Sequence, residues 1–379
     1  MSDIDVQLMA LRKARLVELQ NCIQEHRFAA VAFNASPSLF YYYGLSFHLS
    51  ERPVVSILTA DGRNVCVLPE LELGKLEAWR DELQVFAYGE DPSSWQKVFN
   101  AAWLALGLED KASVGIEAHH LRMLEYQFLQ AADAQARFVS AESWLALQRA
   151  CKDATEKARH QKAVDIAQAG LLAVLLQVKL GMSERELASE LTAQLLRHGA
   201  DAELPFQPSV GFGENSANPH AVPGDRRLAY GDLLLIDWGA SYEGYAADLT
   251  RIFSIGETSS EWKRIANTVK QANEAARAAA KVGVTPDEVD RAARQIIEQD
   301  GYAEFFPHRV GHGLGLEVHE LPYLRKDNQE PLRAGMVFTI EPGIYLPGRG
   351  GVRIEDDCFL DAKGCETLST LPRDLGQLL

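Results

Sequence analysis

The feature that most constrains this chain is an internal repeat of 102 residues. Residues 178–187 (VKLGMSEREL) align at that offset with residues 280–289 (AKVGVTPDEV). When this alignment is extended towards the C-terminus with small gaps, it pairs acidic residues with acidic residues and one histidine with another. A chain built in this way is predicted to fold into two similar halves that each supply acidic side chains to a shared centre. The paired positions are Asp237 with Glu341, Asp248 with Glu355, and His220 with His319.

The midpoint of each acidic pair falls in a predicted turn. For the first pair the midpoint lies between Tyr242 and Glu243, within the turn 241–244 (SYEG), and for the second pair it is Gly348. Strands folded back at these turns would place each pair directly opposite, with Cβ atoms roughly 5 Å apart. Carboxylates at this distance raise each other's pKa unless cations neutralise them. The sequence therefore predicts a metal centre between the two halves.

Five side chains make up the predicted ligand set. An aspartate at a strand end can simply begin a turn, and a histidine between glycines can be a loop residue, but the paired pattern favours metal ligation. Four carboxylates and one imidazole form a hard ligand set, which suits Mn²⁺ or Co²⁺. Such a set differs from a zinc centre rich in thiolate ligands. We expect two divalent ions that together activate a water for hydrolysis, with Mn²⁺ first and Co²⁺ or Zn²⁺ as alternatives. The predicted ligands are Asp237, Asp248, His312, Glu341 and Glu355.

Length and composition limit the remaining classes of function. A chain of 379 residues exceeds the usual size of one core, so we expect two domains, 1–151 and 152–379. The formal charge of −15 argues against a nucleic-acid or anionic-membrane partner. Five cysteines without a C-x-x-C pair, and an N-terminus without a basic region and apolar core, favour a reduced cytoplasmic protein. No apolar run of about 18 residues predicts a membrane span.

The two predicted domains differ in their patterns. The first 150 residues alternate helix and strand signals, which predicts a mixed α/β domain with a hairpin at Asp61-Gly62. In the second domain a long helix follows Lys152, and capping boxes at 183–186 and 285–288 each begin a further helix. Each of these helices leads into a glycine-rich strand region that carries predicted ligands. We therefore expect two α+β halves related by a pseudo-twofold axis.

Seven motifs in the chain resemble those of the aminopeptidase P, prolidase and methionine aminopeptidase family. The resemblance implies a creatinase-like N-terminal domain and a catalytic domain of the pita-bread fold, and it spans the whole chain. The motifs are NPH (218–220), LIDWG (235–239), YAADLTR (245–251), GHGLG (311–315), VHE (318–320), TIEPG (339–343) and GVRIED (351–356).

Within this family the segments around Gly343 and Gly351 are most similar to those of prolidases, which implies hydrolysis of Xaa-Pro dipeptides. The nearest alternative is aminopeptidase P, which removes the residue before proline from longer peptides. A non-catalytic binding protein and a creatinase-like enzyme are more remote alternatives, and the complete ligand set argues against both. The N-terminal domain argues against methionine aminopeptidase.

The resemblance also implies roles for individual residues. Asp237 would hold one metal, Asp248 and Glu355 would bridge both, and His312 and Glu341 would complete the second site. Members with this N-terminal domain are commonly homodimers in which it helps to close the partner's active site, so Phe40 to His48 is a candidate loop for that role. The alternative is that its aromatic cluster, residues 40–43, packs in a core or a domain interface.

The remaining predicted site residues would act on the substrate. We expect Glu341 to take a proton from the attacking water and to help pass it to the leaving proline nitrogen. His220 and His319 would hydrogen-bond the substrate carbonyl or the oxyanion. Arg353 lies two residues before Glu355, hence on the same strand face, and would orient a ligand or a substrate group. Tyr242, in the first turn, would hydrogen-bond a ligand carboxylate.

Overall fold

The structure, a computed structural model, describes residues 3–379, with side chains from residue 7 onward. The chain divides into two compact units, Met1–Arg149 and Ala150–Leu379, which we describe separately. The boundary predicted from the sequence, after residue 151, stays a proposal for where the two domains meet. In the part of the chain that is described, no helix is long and apolar enough to cross a membrane.

The N-terminal unit is built on a six-stranded mixed sheet covered by helices. Antiparallel strands form around the predicted hairpin, where Val55 pairs with Val67 and Gly62 takes a positive φ of 90°. The predicted strands and the first and third helices are confirmed, but three short helices were not predicted. The helices are α1 (Asp3–Glu25), α2 (Pro37–Tyr43), α3 (Pro92–Leu106), α4 (Met123–Ala132) and α5 (Glu142–Ala150), with a 3₁₀ helix at Glu70–Trp79. The strands are β1 (Ala30–Phe33), β2 (Val55–Thr59), β3 (Asn64–Pro69), β4 (Gln84–Tyr88), β5 (Ser113–Ile116) and β6 (Arg137–Ser140), in the order β4-β3-β2-β1-β5-β6.

The second unit contains four long helices, two larger sheets and two short hairpins. Its sheet orders are β19-β11-β8-β7 and β13-β12-β14-β17-β18, with β9 paired to β10 and β15 to β16. The helices are α6 (Ala154–Leu175), α7 (Glu184–Arg197), α8 (Ser260–Ala279) and α9 (Pro286–Gln299), with 3₁₀ helices at Gly213–Ala217 and Ala303–Phe305. The strands are β7 (Ser209–Phe212), β8 (Leu233–Trp238), β9 (Ser241–Tyr242), β10 (Tyr245–Ala246), β11 (Leu249–Ile255), β12 (Gly311–Gly313), β13 (Glu320–Leu324), β14 (Val337–Ile340), β15 (Gly343–Leu346), β16 (Gly350–Arg353), β17 (Asp356–Asp361), β18 (Gly364–Thr367) and β19 (Gly376–Leu378).

The predicted repeat is visible as two matching sets of elements. In the first half the antiparallel strands β7, β8 and β11 lie side by side, and in the second half β12, β14 and β17 do the same. Each half inserts a short hairpin before its third strand, β9/β10 in the first and β15/β16 in the second. Each is covered by a helix pair, α6 with α7 and α8 with α9, so the two halves share one architecture.

The predicted helix starts are both confirmed. Ser183 caps α7 and Thr285 caps α9, and each cap exchanges hydrogen bonds with the glutamate three residues later. Past the two helix ends, Gly199 and Gly301 take φ values of 99° and 84°, a conformation that other residues rarely adopt. Because the two capping boxes lie at equivalent places, they fix the same helix start in each half.

Apolar side chains between helices and sheet form a core in each half. In the first half Leu171 and Leu191 pack with Ile236, and in the second Val269 and Val289 are buried in a separate cluster. These contacts hold the strands that carry the candidate ligands against long helices, so the ligand positions have rigid support.

Candidate active site

The first ligand hairpin has a different register from the predicted one. Asp237 lies opposite Thr250, so the prediction that it faces Asp248 directly is wrong. The centre of the turn lies between Glu243 and Gly244, which have φ values of 48° and 84°. Positive φ at both central positions is typical of the type I′ hairpin turn, and glycine adopts it at 244 more readily than tyrosine would at 242. Asp248 is two residues from the partner of Asp237, so both carboxylates still lie on one face of the sheet.

The second ligand hairpin has the predicted centre. Gly343 pairs with Arg353 and Leu346 with Gly350, which confirms the midpoint at Gly348. Continued by two residues, this register brings Glu341 opposite Glu355, just beyond the ends of the strands. The N–H of Glu355 also donates to the carbonyl of Thr250 (3.1 Å), as part of an isolated bridge to the first half. The two halves therefore meet where the acidic residues lie.

The five predicted ligands come together in this region. One potential ligand atom from each of Asp248, His312 and Glu355 lies within 4.8 Å of the others. Nε2 of His312 is 3.7 Å from Asp248 Oδ2 and 3.5 Å from Glu341 Oε1. Asp237 lies close enough to the group that its charge raises the pKa values of Asp248 and Glu341. Segments distant in the sequence are thus folded onto one cluster of oxygen and nitrogen donors.

Burial and mutual repulsion raise the pKa values of these carboxyl groups. Burial raises the pKa of Asp248 and of Glu355 well above the ordinary range, and neighbouring carboxylates add to both shifts. Burial likewise raises the pKa of Glu341 to about 7 and, with His319 adding to the shift, lowers that of His312 well below its usual value. A neutral imidazole and closely spaced carboxylates are the form that a divalent cation binds.

Two oxygen atoms at the centre test whether a metal ion fits. Oδ1 of Asp237 and Oδ1 of Asp248 are buried, and among the described residues neither has a hydrogen-bond partner. Buried acceptors without a partner are costly, and a cation bound between them would satisfy both. The donor set, made of carboxylates and one histidine, matches the ligands that hard divalent ions prefer. The residues present therefore fit the metal that the sequence predicts.

The ionisation of Glu341 should cost the metal-free protein stability as the pH rises from about 4.5 to about 7. A carboxyl whose pKa is higher in the folded state than in the unfolded chain contributes stability that is fully present below the unfolded pKa and is lost as the pH rises through the folded pKa. Each pKa unit of difference is worth about 1.4 kcal/mol. The buried histidines titrate in the same interval, but they are common to the wild type and to Glu341→Gln, so a comparison of the two proteins cancels their contribution. We expect the melting temperature of chelator-treated wild type to fall relative to that of chelator-treated Glu341→Gln between pH 4.5 and pH 7.

Scanning calorimetry with and without Mn²⁺ would measure this dependence. Saturating Mn²⁺ should remove it, since bound cations favour the ionised carboxylates. A difference between the two metal-free proteins that stays constant over this interval would contradict the electrostatic account of the site.

Arg353 connects the candidate ligands of the two halves. Its Nη2 donates to Asp237 Oδ2 (2.6 Å), its Nε to Thr250 Oγ1 (2.9 Å) and its Nη1 to the hydroxyl of Tyr345 (3.0 Å). The Thr250 hydroxyl in turn donates to Glu355 Oε2 (2.6 Å). The structure thus brings Arg353 to a ligand carboxylate, as predicted, and its role in orienting that carboxylate remains our proposal.

Several buried residues around the ligands were missed by the sequence analysis. Asp357 is fully buried and accepts the backbone N–H of Asp248 (3.0 Å), and burial raises its pKa well above normal. His308 lies 2.9 Å from the Tyr345 hydroxyl through Nε2, and burial lowers its pKa to about 4. The sequence spacing could have indicated two of these residues. Thr250 follows Asp248 by two residues, and Asp357 follows Glu355 by two. Alternation along a strand places such neighbours on one face.

Both predicted substrate histidines lie at the exposed side of the centre. The ring of His319 packs edge-on against that of His312, with centroids 4.3 Å apart, and its side chain is exposed. His220 is also exposed, its backbone N–H donates to Asn218 Oδ1 (3.0 Å), and its imidazole lies near Asp237, whose pKa burial raises. Exposure next to buried ligands suits groups that contact substrate, which stays a prediction for both histidines.

The position of Tyr242 does not support its predicted contact. Tyr242 lies on β9, pairs with Tyr245 and packs against the apolar core of the first half. Across the described chain we find no hydrogen bond from its hydroxyl to a site carboxylate. The role assigned to Tyr242 stays a prediction, and packing is the simpler explanation of the residue.

A second group of potential ligands lies in the N-terminal unit. Glu117, His120 and Glu142 offer donor atoms within 4.8 Å of one another. Glu117 already accepts a hydrogen bond from the Ser36 hydroxyl (2.5 Å), and the charge of Arg149 opposes the pKa increase that burial imposes on it. Because this carboxylate has partners within the protein, we assign no metal to the group.

Two family models match the chain. Residues 158–362 match the model described as metallopeptidase family M24, and residues 15–151 match the creatinase/prolidase N-terminal domain. The first match alone covers more than half of the 379 residues. The chain belongs to metallopeptidase family M24. The predicted family and its architecture, a creatinase-like N-terminal domain followed by a pita-bread domain, are thereby confirmed.

Known proteins resemble this M24 chain over nearly its whole length. The putative dipeptidase YkvY of Bacillus subtilis is 34% identical over 363 residues, which cover 95% of this chain and 99% of the relative. Prolidase from Thermococcus sibiricus superposes with a TM-score of 0.90 at 33% identity, covering 97% of this chain and 99% of the other. X-Pro aminopeptidase from Thermotoga maritima superposes with a TM-score of 0.83 at 31% identity, with coverage of 96% and 99%. The M24 chain is therefore similar to both dipeptidases and an aminopeptidase.

Proposed function

We propose that this protein is a dinuclear metal-dependent Xaa-Pro dipeptidase, which hydrolyses the peptide bond before proline. The observation that carries the proposal is the buried acidic cluster, in which Asp237 and Asp248 each keep an oxygen without a hydrogen-bond partner in the described part of the chain. Four carboxylates forced together need cations, and paired divalent ions are the usual basis of peptide hydrolysis at such sites. The similarity to a prolidase and a putative dipeptidase supports the choice of substrate.

The five candidate ligands would hold two divalent ions. We propose Mn²⁺ as the first choice, with Co²⁺ or Zn²⁺ as alternatives, because oxygen donors dominate the set. Ions bound there supply Lewis-acid polarisation of the scissile carbonyl and a lower pKa for the attacking water. The ligands are Asp237, Asp248, His312, Glu341 and Glu355.

The protein's own groups would move the proton and stabilise charge. Glu341, whose pKa burial raises to about 7, can accept a proton from the attacking water and donate it to the leaving proline nitrogen. His220 and His319 would donate hydrogen bonds to the substrate carbonyl oxygen as negative charge develops on it. Arg353 would keep Asp237 oriented through their 2.6 Å contact. Tyr242 is retained only as a candidate for substrate binding.

The assembly and location are proposed on the family resemblance. We propose a cytoplasmic homodimer in which the segment Phe40 to His48 helps to close the partner's active site. Tyr41, Tyr42 and Tyr43 are buried within the N-terminal unit, so they contribute to its packing. His48, by contrast, is exposed and available for such a contact.

Two short peptides distinguish the proposed activity from its nearest alternative. Chelator-treated protein reloaded with Mn²⁺, Co²⁺ or Zn²⁺ should hydrolyse Ala-Pro at least tenfold faster than it hydrolyses Ala-Pro-Ala, with kcat/KM measured for each. The reason is that a dipeptidase site must recognise the free carboxylate of proline, which the tripeptide lacks at that position. Efficient cleavage of the tripeptide but not the dipeptide would indicate an aminopeptidase P, and inert protein with every metal would contradict both.

A further inference from the structure

Glu184, the first residue of α7, makes three hydrogen bonds to a loop of the active site. Its side chain is buried, with 1% of the residue exposed. Oε1 accepts the backbone N–H of Phe212 (2.8 Å) and the Nδ2 group of Asn215 (2.9 Å), and Oε2 accepts the N–H of Gly224 (3.0 Å). One carboxylate therefore holds both ends of the segment 212–224.

This segment carries His220. Within it, Asn218 Oδ1 accepts the backbone N–H of His220 (3.0 Å), and the Ser209 hydroxyl, from β7, donates to the carbonyl of Ala221 (2.7 Å). The N–H of Arg185, also on α7, donates to the carbonyl of Gly224 (3.0 Å), but this bond holds one end of the segment, whereas the Glu184 side chain holds both. The buried Glu184 contact therefore helps to set the position of the exposed imidazole.

A comparison of the two halves shows that Glu184 does not cap the N-terminus of its own helix. In both halves a capping box does so, formed by Ser183 with Glu186 and by Thr285 with Glu288. At the repeat offset of 102 residues the counterpart of Glu184 is Pro286, which has no side-chain acceptor. The buried carboxylate is therefore a feature of the half that carries the His220 loop.

We propose that Glu184 is a positioning residue that fixes the 212–224 loop and so aims His220 at the substrate. The inference rests on the proposed function, in which His220 contacts the substrate carbonyl. A carboxylate is needed because three N–H donors converge on it, and a neutral amide would turn its own N–H group towards one of them. The negative charge is also favourable in the first turn of a helix.

The substitution Glu184→Gln keeps the size of the side chain and disrupts this contact, with Glu186→Gln as the matched control. Glu186 lies in the same turn but is exposed, accepts the N–H of Ser183 at its own helix cap (2.7 Å), and forms an exposed ion pair with Arg227 (3.9 Å), outside the segment 212–224. We expect Glu184→Gln to lower kcat for Ala-Pro roughly 10- to 100-fold, because small misplacements of a catalytic group are costly. The Mn²⁺ affinity measured by calorimetry should not change, and the control should keep wild-type kcat.

A double mutant separates positioning from general damage. In a His220→Ala background, Glu184→Gln should cause no further loss of kcat, because the group that it positions is already absent. A further loss equal to that in the wild-type background would overturn the proposal. Asn215→Ala, which removes one of the three donors from the loop side, should produce a smaller effect in the same direction if Glu184→Gln fails to fold.

Amide hydrogen exchange tests the contact without reference to peptide hydrolysis. Glu184→Gln should accelerate exchange at least tenfold across 212–224, while Glu186→Gln should leave that segment unchanged. Unchanged exchange in Glu184→Gln would overturn the proposal even if the protein is an active dipeptidase. If the wild-type protein hydrolyses no Xaa-Pro peptide, faster exchange would still support the loop contact while the proposed function fails.

Discussion

Replacing Asp248 by asparagine should lower kcat/KM on Ala-Pro by roughly 10³-fold, because a lost ligand removes several kcal/mol of metal-supplied stabilisation of the transition state. The same change should raise the melting temperature of the metal-free protein. Asp248 is buried among Glu355, Asp237 and Glu341, and each of these carboxylates raises its pKa further. Asparagine has nearly the same shape and carries no charge, so it relieves the repulsion that the cations otherwise neutralise.

Opposite effects on activity and on metal-free stability distinguish a metal ligand from a purely structural aspartate. Metal content after dialysis, kcat/KM with saturating Mn²⁺, and calorimetry in chelator would together measure both. Asp374→Asn is a suitable control, since it removes one charge from an exposed ion pair with Lys270. A variant that keeps its metal and its activity, or that is less stable than wild type without metal, would refute the assignment of Asp248.

Replacing His220 by alanine should lower kcat by about 10² to 10³, the usual cost of losing one donor to a developing oxyanion. Metal content should be unchanged, because His220 is exposed and belongs to no predicted ligand position. The loss should appear in kcat more than in KM if the hydrogen bond strengthens as charge develops on the carbonyl oxygen.

A second exposed histidine provides the comparison for this experiment. His198 follows α7, and its Nδ1 lies 2.8 Å from the carbonyl of Gln194, outside the ligand cluster. His198→Ala should keep wild-type kcat and metal content. An unchanged kcat in His220→Ala would remove the proposed role of this residue, and with it the reason for holding its loop in place.

Much of the architecture could be predicted because local signals and the repeat agree. The capping boxes at Ser183 and Thr285 and the hairpin centred on Gly348 depend on residues close in sequence, and all three appear as predicted. The gathering of carboxylates from two halves followed from the duplicated pattern. At these positions the local sequence signals and the internal repeat predict the same structure.

The errors have identifiable physical causes. The register of the first hairpin was wrong because counting to a midpoint ignored that Gly244 favours a positive φ where Tyr242 does not. The short helix α2 was missed because its tyrosines are buried all round and show no amphipathic period. The contact of Glu184 with Phe212 links residues that no local pattern connects, so only the folded structure could reveal it.

The repeated halves also suggest how such a centre could arise by gene fusion. A gene for one half would encode a chain with two acidic ligand residues, and a symmetric dimer of such chains would form a site with four carboxylates. The present chain departs from that symmetry, since β7 contains no histidine to match His312, and Ala246 stands before Asp248 where Arg353 stands before Glu355. Joining two copies in one polypeptide frees each to specialise, and here the candidate ligand imidazole of His312 and the guanidinium group of Arg353 both lie in the second half.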